Sequence, residues 1–303
     1  MAFRLKTGDY KTLESIAEYR IITTVQIAAL LGRNRQSIWR RLRELEKHGL
    51  LRVTQRGFGR RRGRPEIVLS LSEYGVDVLK DKGVIGADVD YEAVIGDNIH
   101  CKDHQLMLNW FRIHLNHVEK VLPRLKIRFL SHSSPFLPRN MAKYLIITDF
   151  GSAEGSIDEV VRFTPDAVFS ITDTLRGITV LFFLEVDCGT ETIASPKRDM
   201  KDVRQKIVNY GAYFDSFGYK RYDGLWDCKL EGFRLLFLTN TLGRLASLCK
   251  LVEQMPPSDF IWLTEQSRIF SDGISAKIWV RGGKMESSSE SILDSLHCRA
   301  PLP

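Results

Sequence analysis

The chain has 303 residues, enough for two hydrophobic cores, so we expect two domains. Its 44% hydrophobic and 27% charged residues are typical of folded domains and exclude an intrinsically disordered chain. The net charge of +7 is concentrated in residues 1–86, which carry 18 Lys and Arg against 9 Asp and Glu. Such a local surplus of cations indicates a nucleic-acid partner, because cations that neutralise phosphates release counterions.

Nothing in the sequence indicates a membrane span or an export signal. No apolar run approaches the roughly 18 residues that a membrane helix needs, and residues 1–9 lack the apolar core of a signal peptide. The five cysteines are scattered without a C-x-x-C pair, which is typical of reduced thiols. We therefore expect a cytoplasmic protein with no membrane partner, disulfide or zinc knuckle.

The N-terminal region begins with three predicted helices. Residues 10–19, capped by Asp9, and residues 24–31, capped by Thr23 or Thr24, each carry apolar side chains on one face. The third helix, residues 35–47, is apolar on one face and polar and basic on the other, which suits the major groove of DNA. The candidate DNA contacts on this helix are Arg35, Gln36, Ser37, Arg40 and Arg41.

Two strand-like stretches, residues 50–54 and 66–71, follow and are joined by a segment rich in arginine and glycine. Glycine lets the backbone turn tightly, and arginine binds phosphates or enters a narrow minor groove. The pattern predicts the wing of a winged helix-turn-helix that binds double-stranded DNA. The candidate contacts on the wing are Arg56, Arg60, Arg61, Arg62 and Arg64. A helix over 73–82, or the long helix over 99–121, is expected to form a homodimer contact.

The domain boundaries follow from these patterns. We expect residues 1–86 to form the DNA-binding domain, 87–98 a connection, 99–283 a second domain of α/β type, and 284–303 a flexible tail. The alternative for the tail is a docked turn of helix that uses Ile292, Leu293 and Leu296. After the long helix, strands are predicted at 125–130, 144–148, 164–171, 178–186, 233–239, 260–263 and 276–280. Helices are predicted from Ser195-Pro196 to about residue 214 and over 242–253.

Three carboxylates are expected to converge in the second domain. Glu185 and Asp187 lie two residues apart in a strand and share a face, and a hairpin paired in register brings Asp166 beside them. Such carboxylates repel each other unless a divalent cation neutralises them, so Mg²⁺ or Mn²⁺ is the predicted cofactor with these three residues as ligands. A metal there can activate water against a phosphodiester, and Lys206 from the following helix can stabilise the developing charge.

The motif that carries most information is Pro165-Asp166, then Glu185-Val186-Asp187-Cys188-Gly189-Thr190-Glu191, then Lys206 and Tyr210. It resembles the core of the replication-relaxation family of plasmids and other mobile elements, over about residues 10–265. The resemblance implies an α+β fold in which a winged helix precedes a mixed-sheet domain similar to the PD-(D/E)xK (restriction-endonuclease-like) nucleases. It implies a role in replication, relaxation or transfer of the element, with the element's replication or transfer proteins as partners.

Three functions stay open on the sequence: a non-catalytic accessory factor, a metal-dependent DNA endonuclease or nickase, and a winged-helix transcription regulator. Asp187 stands where nucleases of this type carry lysine, so cleavage depends on whether Lys206 replaces it. A regulator does not need the carboxylates and the lysine to converge. A zinc site at His100 and His104 is a weaker alternative, because no further ligands follow at a recognisable spacing.

Overall fold

The computed structural model describes residues 3–55, 67–152, 160–195 and 202–301. The chain divides into two compact units, one of Met1–Ile113, Ser133–Leu137 and Pro301–Pro303 and the other of His114–His132 and Pro138–Ala300. The division falls inside the long helix, whereas the sequence places the boundary in residues 87–98. Among the described residues, no helix is long and apolar enough to cross a membrane.

The first unit combines helices with a small antiparallel sheet. The three strands lie in the order β1-β3-β2, and β3 pairs with both neighbours. Its elements are α1 (Thr7–Tyr19), β1 (Ile22–Thr23), α2 (Thr24–Leu31), α3 (Arg35–Lys47), β2 (Leu51–Gln55), β3 (Ile67–Leu71), α4 (Glu73–Asp81), α5 (Tyr91–Val94) and the first half of α6 (Lys102–Val121).

Local capping explains where these helices begin. The Thr23 hydroxyl accepts the Gln26 N–H at 3.3 Å at the start of α2, as predicted. Helix α1 begins at Thr7, earlier than predicted, because Asp9 does not cap it from outside. Asp9 is the third residue of α1, and its Oδ2 accepts the Lys6 N–H at 2.6 Å.

The first turns of α6 belong to the first unit. Leu106 packs in a buried cluster with Ile21 and Val68, and its carbonyl oxygen accepts Gln26 Nε2 at 2.7 Å. Asn109 Nδ2 donates to the Ile21 carbonyl at 2.6 Å. Because these contacts are buried, the first half of α6 is part of the first core and the helix itself carries the chain into the second unit.

The second unit is built on a mixed six-stranded sheet in the order β11-β10-β9-β8-β7-β4. Strands β4, β7 and β8 pair antiparallel, β8, β9 and β10 pair parallel, and β11 returns antiparallel. Its elements are β4 (Leu125–Ser131), β5 (Asp149–Ser152), β6 (Val160–Phe163), β7 (Ala167–Asp173), β8 (Ile178–Asp187), α7 (Val203–Asp215), α8 (Arg221–Trp226), β9 (Phe233–Thr239), α9 (Leu242–Glu253), β10 (Ile261–Glu265), α10 (Gln266–Asp272) and β11 (Val280–Arg281). The α+β class and the mixed sheet are confirmed.

Several predicted elements differ from the structure. Residues 144–148 form no strand, since Leu145 makes only an isolated bridge to Arg139 and the strand begins at Asp149. Helix α7 begins at Val203, because the Asp202 carboxylate accepts the Gln205 N–H at 2.8 Å and caps it there. The predicted start at Ser195-Pro196 lies partly outside the described residues, which stop at Ser195 and resume at Asp202.

Residues 290–298, part of the segment predicted as a flexible tail, pack within the second unit. Ile292, Leu293 and Cys298 are buried, and Ser275 Oγ donates to the Cys298 carbonyl at 2.8 Å. The backbone of Glu290 exchanges hydrogen bonds with that of Trp279. Burial of these apolar side chains therefore holds the segment in place.

Candidate functional site

The carboxyl end of β8 meets the start of β7 at the candidate site. Ala167 is paired with Leu184, so Asp166 and Glu185 occupy the next position on each strand. Asp166 Oδ2 accepts the Val186 backbone N–H at 2.7 Å. The hairpin register that the sequence assumed is the register in the structure, and Asp166 lies beside β8.

Glu185 is a buried carboxylate held by two donors from α7. Its Oε2 accepts Lys206 Nζ at 3.0 Å and its Oε1 accepts the Tyr210 hydroxyl at 2.7 Å. Burial raises the pKa of Glu185 to about 7, the Lys206 ammonium opposes that shift, and the Asp166 carboxylate adds to it. Burial by itself lowers the pKa of Lys206, but the neighbouring carboxylates raise it overall, so the ammonium is charged at neutral pH.

Asp187 is held by an arginine that the sequence reasoning did not single out. Arg244 Nε and Nη2 donate to Asp187 Oδ2 at 3.0 and 2.8 Å, and Asp187 Oδ1 accepts the Gly189 N–H at 2.6 Å. The side chains of Asp187 and Arg244 are only 5% and 14% exposed. The ion pair is therefore largely removed from water.

Arg244 reaches Asp187 because of the parallel β8-β9 pairing. It lies in the first turn of α9, directly after β9, and the N-terminus of that helix is next to the carboxyl ends of the two strands. The pairing of Asp187 with Thr239 brings the strand ends level. A sequence search would have found Arg244 only after assuming this parallel register.

Glu191 joins the two parts of the site. Its Oε1 accepts Lys206 Nζ at 2.9 Å, while its backbone carbonyl accepts Arg244 Nη2 at 2.6 Å. We call the whole set the carboxylate–cation network: Asp166, Glu185, Asp187, Glu191, Lys206, Tyr210 and Arg244. The structure thus places all four predicted catalytic residues in one region, with Glu191 and Tyr210 of the same motif beside them, and adds Arg244.

The network does not fit a divalent metal bound by all three predicted ligands. Both oxygens of Glu185 and both of Asp187 accept hydrogen bonds from the chain's own donors. In the part of the chain that the structure describes, no group of three or more His, Cys, Asp or Glu is placed to hold a metal ion. The positive charge that carboxylates need at this place comes from Lys206 and Arg244.

A second buried carboxylate lies in the same unit and was also missed. Asp149 at the start of β5 accepts hydrogen bonds from the hydroxyls of Tyr213 at 2.9 Å and Tyr222 at 3.1 Å, and Arg221 pairs with it. Burial raises the pKa of Asp149, and Arg221 opposes that shift. These contacts tie β5 to α7 and α8, which indicates a structural role.

The predicted DNA-contacting residues of α3 divide into two groups. Arg35, Gln36, Ser37 and Arg40 are exposed, while Ile38, Leu42 and Leu45 are buried as predicted. Arg41 faces α1, where its Nε and Nη2 donate to Asp9 Oδ1 and Oδ2 at 2.7 and 2.5 Å. Burial by itself raises the pKa of Asp9, but the hydrogen bond from Arg41 lowers it, and the pKa of Asp9 lies below its ordinary value overall. The wing residues Arg56, Arg60, Arg61, Arg62 and Arg64 lie outside the described residues.

The fold and these two sites define a two-unit α+β protein with an exposed basic face on α3 and a partly buried carboxylate–cation network. The family model described as replication-relaxation matches residues 13–227, more than half of the chain, so the chain belongs to the replication-relaxation family. The match includes α3, Asp166, Glu185 and Lys206, but it ends before Arg244. No curated protein and no solved structure matches the chain. Family membership associates the chain with replication or relaxation of mobile elements.

Proposed function

We propose that this protein binds double-stranded DNA and acts as an accessory factor in replication, relaxation or transfer of a mobile element. The first unit is a winged helix-turn-helix, and the second is a nuclease-like domain used as a scaffold and not for cleavage. The observation that carries the proposal is the face of α3, where Arg35, Gln36, Ser37 and Arg40 are exposed opposite a buried apolar face.

The topology of the first unit supports DNA binding. Helices α2 and α3 follow each other across a short turn, Asn34 caps α3, and an antiparallel sheet follows. In winged helix-turn-helix proteins the second helix of such a pair enters the major groove through its N-terminal residues. Its exposed N-terminal residues here are of the types that bond phosphates and base edges.

Arg41 has a positioning role in this proposal. Its bidentate pair with Asp9 joins α3 to α1, and Asp9 is buried while Arg41 is partly exposed. A guanidinium committed to a carboxylate has fewer donors left for DNA. Arg35 and Arg40 therefore bind the duplex, and Arg41 sets the angle at which α3 meets it.

The carboxylate–cation network supports a scaffold over a nuclease. A nuclease of this type needs carboxylate oxygens available to a metal and a lysine free to stabilise developing charge. Here Lys206 is held by Glu185 and Glu191, and Asp187 is held by Arg244. A plain transcription regulator is less well supported, because it needs no such network and does not explain the family membership.

The test is DNA affinity as a function of salt. Fluorescence anisotropy with a labelled duplex of about 30 base pairs, at about 50 to 200 mM salt, gives the slope of log K against log salt. Replacing Arg35 and Arg40 by Ala should weaken binding and reduce that slope by about one for each phosphate that is no longer neutralised. The matched control replaces Arg176 and Arg281, two exposed arginines of the second unit, and should bind as the wild type does.

The wing is tested in the same assay. Replacing Arg60, Arg61, Arg62 and Arg64 by Ala should weaken binding about equally on all duplex sequences, because wing arginines bind the backbone or the minor groove. Replacing Gln36 should change sequence preference instead. Wild-type affinity and salt slope in both the α3 and the wing variants would refute DNA binding by the first unit.

A further inference from the structure

The first unit contains a cleft that DNA binding through α3 does not use. Its volume is about 750 Å³, and it lies between residues 3–7, α1, the end of α3 and α4. Phe3, Tyr10, Leu50 and Tyr74 form much of its apolar wall. This volume is in the range of small-molecule sites, and the lining combines aromatic and aliphatic side chains with polar and charged groups.

All the charged side chains that line the cleft are basic. Arg4 and Lys82 line it together with His48, and no described Asp or Glu does. The His48 ring stacks on Phe3 with centroids 3.8 Å apart, and Lys82 Nζ lies 5.7 Å from the centre of the Tyr10 ring. Aromatic surfaces beside cations favour a ligand that has both an aromatic ring and a negative charge.

The cleft is at the other end of α3 from the proposed DNA contacts. His48 follows the last residue of α3 and is eleven residues beyond Ser37, which corresponds to about 16 Å along a helix. The proposed DNA contacts and the cleft are therefore at opposite ends of α3.

We propose that this cleft binds a small aromatic anion, such as an aromatic carboxylate, sulfonate or phosphate. A ligand bound in the cleft affects the position of α3 through Phe3. The Arg41 guanidinium of α3 lies over the Phe3 ring at 5.1 Å and also pairs with Asp9 of α1. Filling the cleft moves Phe3 against Arg41 and shifts α3 relative to α1. Ligand binding is independent of the proposed function, whereas its effect on DNA affinity rests on it.

The probe is 8-anilinonaphthalene-1-sulfonate, an aromatic sulfonate, titrated into the full chain without DNA and followed by calorimetry. Saturable one-to-one binding is expected. Replacing Lys82 or Arg4 by Glu should weaken it by at least about tenfold, because each change puts a negative charge beside the sulfonate. The matched control, Lys11→Glu, alters an exposed lysine of α1 that does not line the cleft and should leave the affinity unchanged. Circular dichroism verifies that each variant is folded.

Two results would overturn the proposal. One is the same probe affinity in the Lys82→Glu, Arg4→Glu and Lys11→Glu variants, which would place the probe elsewhere. The other is binding of N-phenyl-1-naphthylamine, which lacks the sulfonate, with the same affinity as the sulfonate probe. That result would show that the cleft does not recognise the negative charge.

A separate anisotropy titration with saturating probe measures the effect of the bound probe on DNA affinity. Probe binding to a protein that does not bind DNA would refute the proposed function and leave the ligand site standing.

Discussion

Replacing Arg244 by Ala tests the central feature of the second unit, the buried pair with Asp187. The substitution removes both hydrogen bonds to Asp187 Oδ2 and the bond to the Glu191 carbonyl. Asp187, 5% exposed, then keeps the Gly189 N–H on its other oxygen as its one hydrogen bond from the described residues. Removing one partner of a buried ion pair costs about 3 to 5 kcal/mol, and since Arg244 retains some exposure we expect about 3 kcal/mol.

The assay is urea unfolding followed by tryptophan fluorescence, arranged as a double-mutant cycle. Asp187→Asn removes the charge that Arg244 neutralises, so the double variant should be more stable than the sum of the two single losses predicts, by about 1 to 3 kcal/mol. The control is Arg281→Ala. Arg281 is half exposed, and its contact with Asp259 is long, at 3.6 Å. Replacing it should therefore lower the free energy of unfolding by less than about 1 kcal/mol. Equal losses for Arg244→Ala and Arg281→Ala, with no coupling to Asp187, would refute the reasoning.

Four further outcomes are expected. Burial, with His117 nearby, lowers the pKa of His114 from 6.5 to about 4. The neutral imidazole therefore contributes stability that is complete above pH 6.5 and is lost as the pH falls towards 4. The free energy of unfolding should fall by about 3 kcal/mol over that range. Urea unfolding of His114→Leu between these pH values should lack that loss, and parallel curves for both proteins would contradict it. The wild type should leave supercoiled DNA uncut with Mg²⁺, Mn²⁺ or chelator. Metal-dependent cleavage by the wild type that is lost in Asp166→Ala would instead support the nuclease function. Gly75→Ala places a Cβ 2.2 Å from the Leu50 carbonyl oxygen and should cost at least about 2 kcal/mol in a thermal melt. Gly243→Ala, in the first turn of α9, meets open space and should stabilise the protein by up to about 1 kcal/mol. Light scattering should give twice the chain mass, and a monomer both free and on DNA would exclude the homodimer.

Elements whose ends are set by neighbouring residues were predicted well. Helices α2, α3 and α4 begin within a residue of their predicted starts, because Thr23, Asn34 and Ser72 accept backbone N–H groups a few positions along the chain. The hairpin between β7 and β8 was predicted for the same reason, since Gly177 adopts a φ of 65° at its turn. Such signals are complete within a short segment and need no knowledge of the rest of the fold.

Elements that depend on distant partners were missed. The strand predicted at 144–148 has suitable residues but no neighbouring strand at that register, so pairing begins at Asp149 instead. Asp149 itself gave no signal, because its partners Tyr213, Arg221 and Tyr222 come from helices more than sixty residues later.

The candidate site shows the same division within a few residues. Strand alternation alone predicts that Glu185 and Asp187 share a face, and a short hairpin places Asp166 beside them. Which cation neutralises them is not encoded locally: Lys206 comes from the next helix, and Arg244 lies 57 positions after Asp187. The parallel β8-β9 pairing brings Arg244 to the place where the sequence predicted a metal ion. Carboxylates in a low-dielectric site need positive charge, and only the tertiary fold determines whether the chain supplies it.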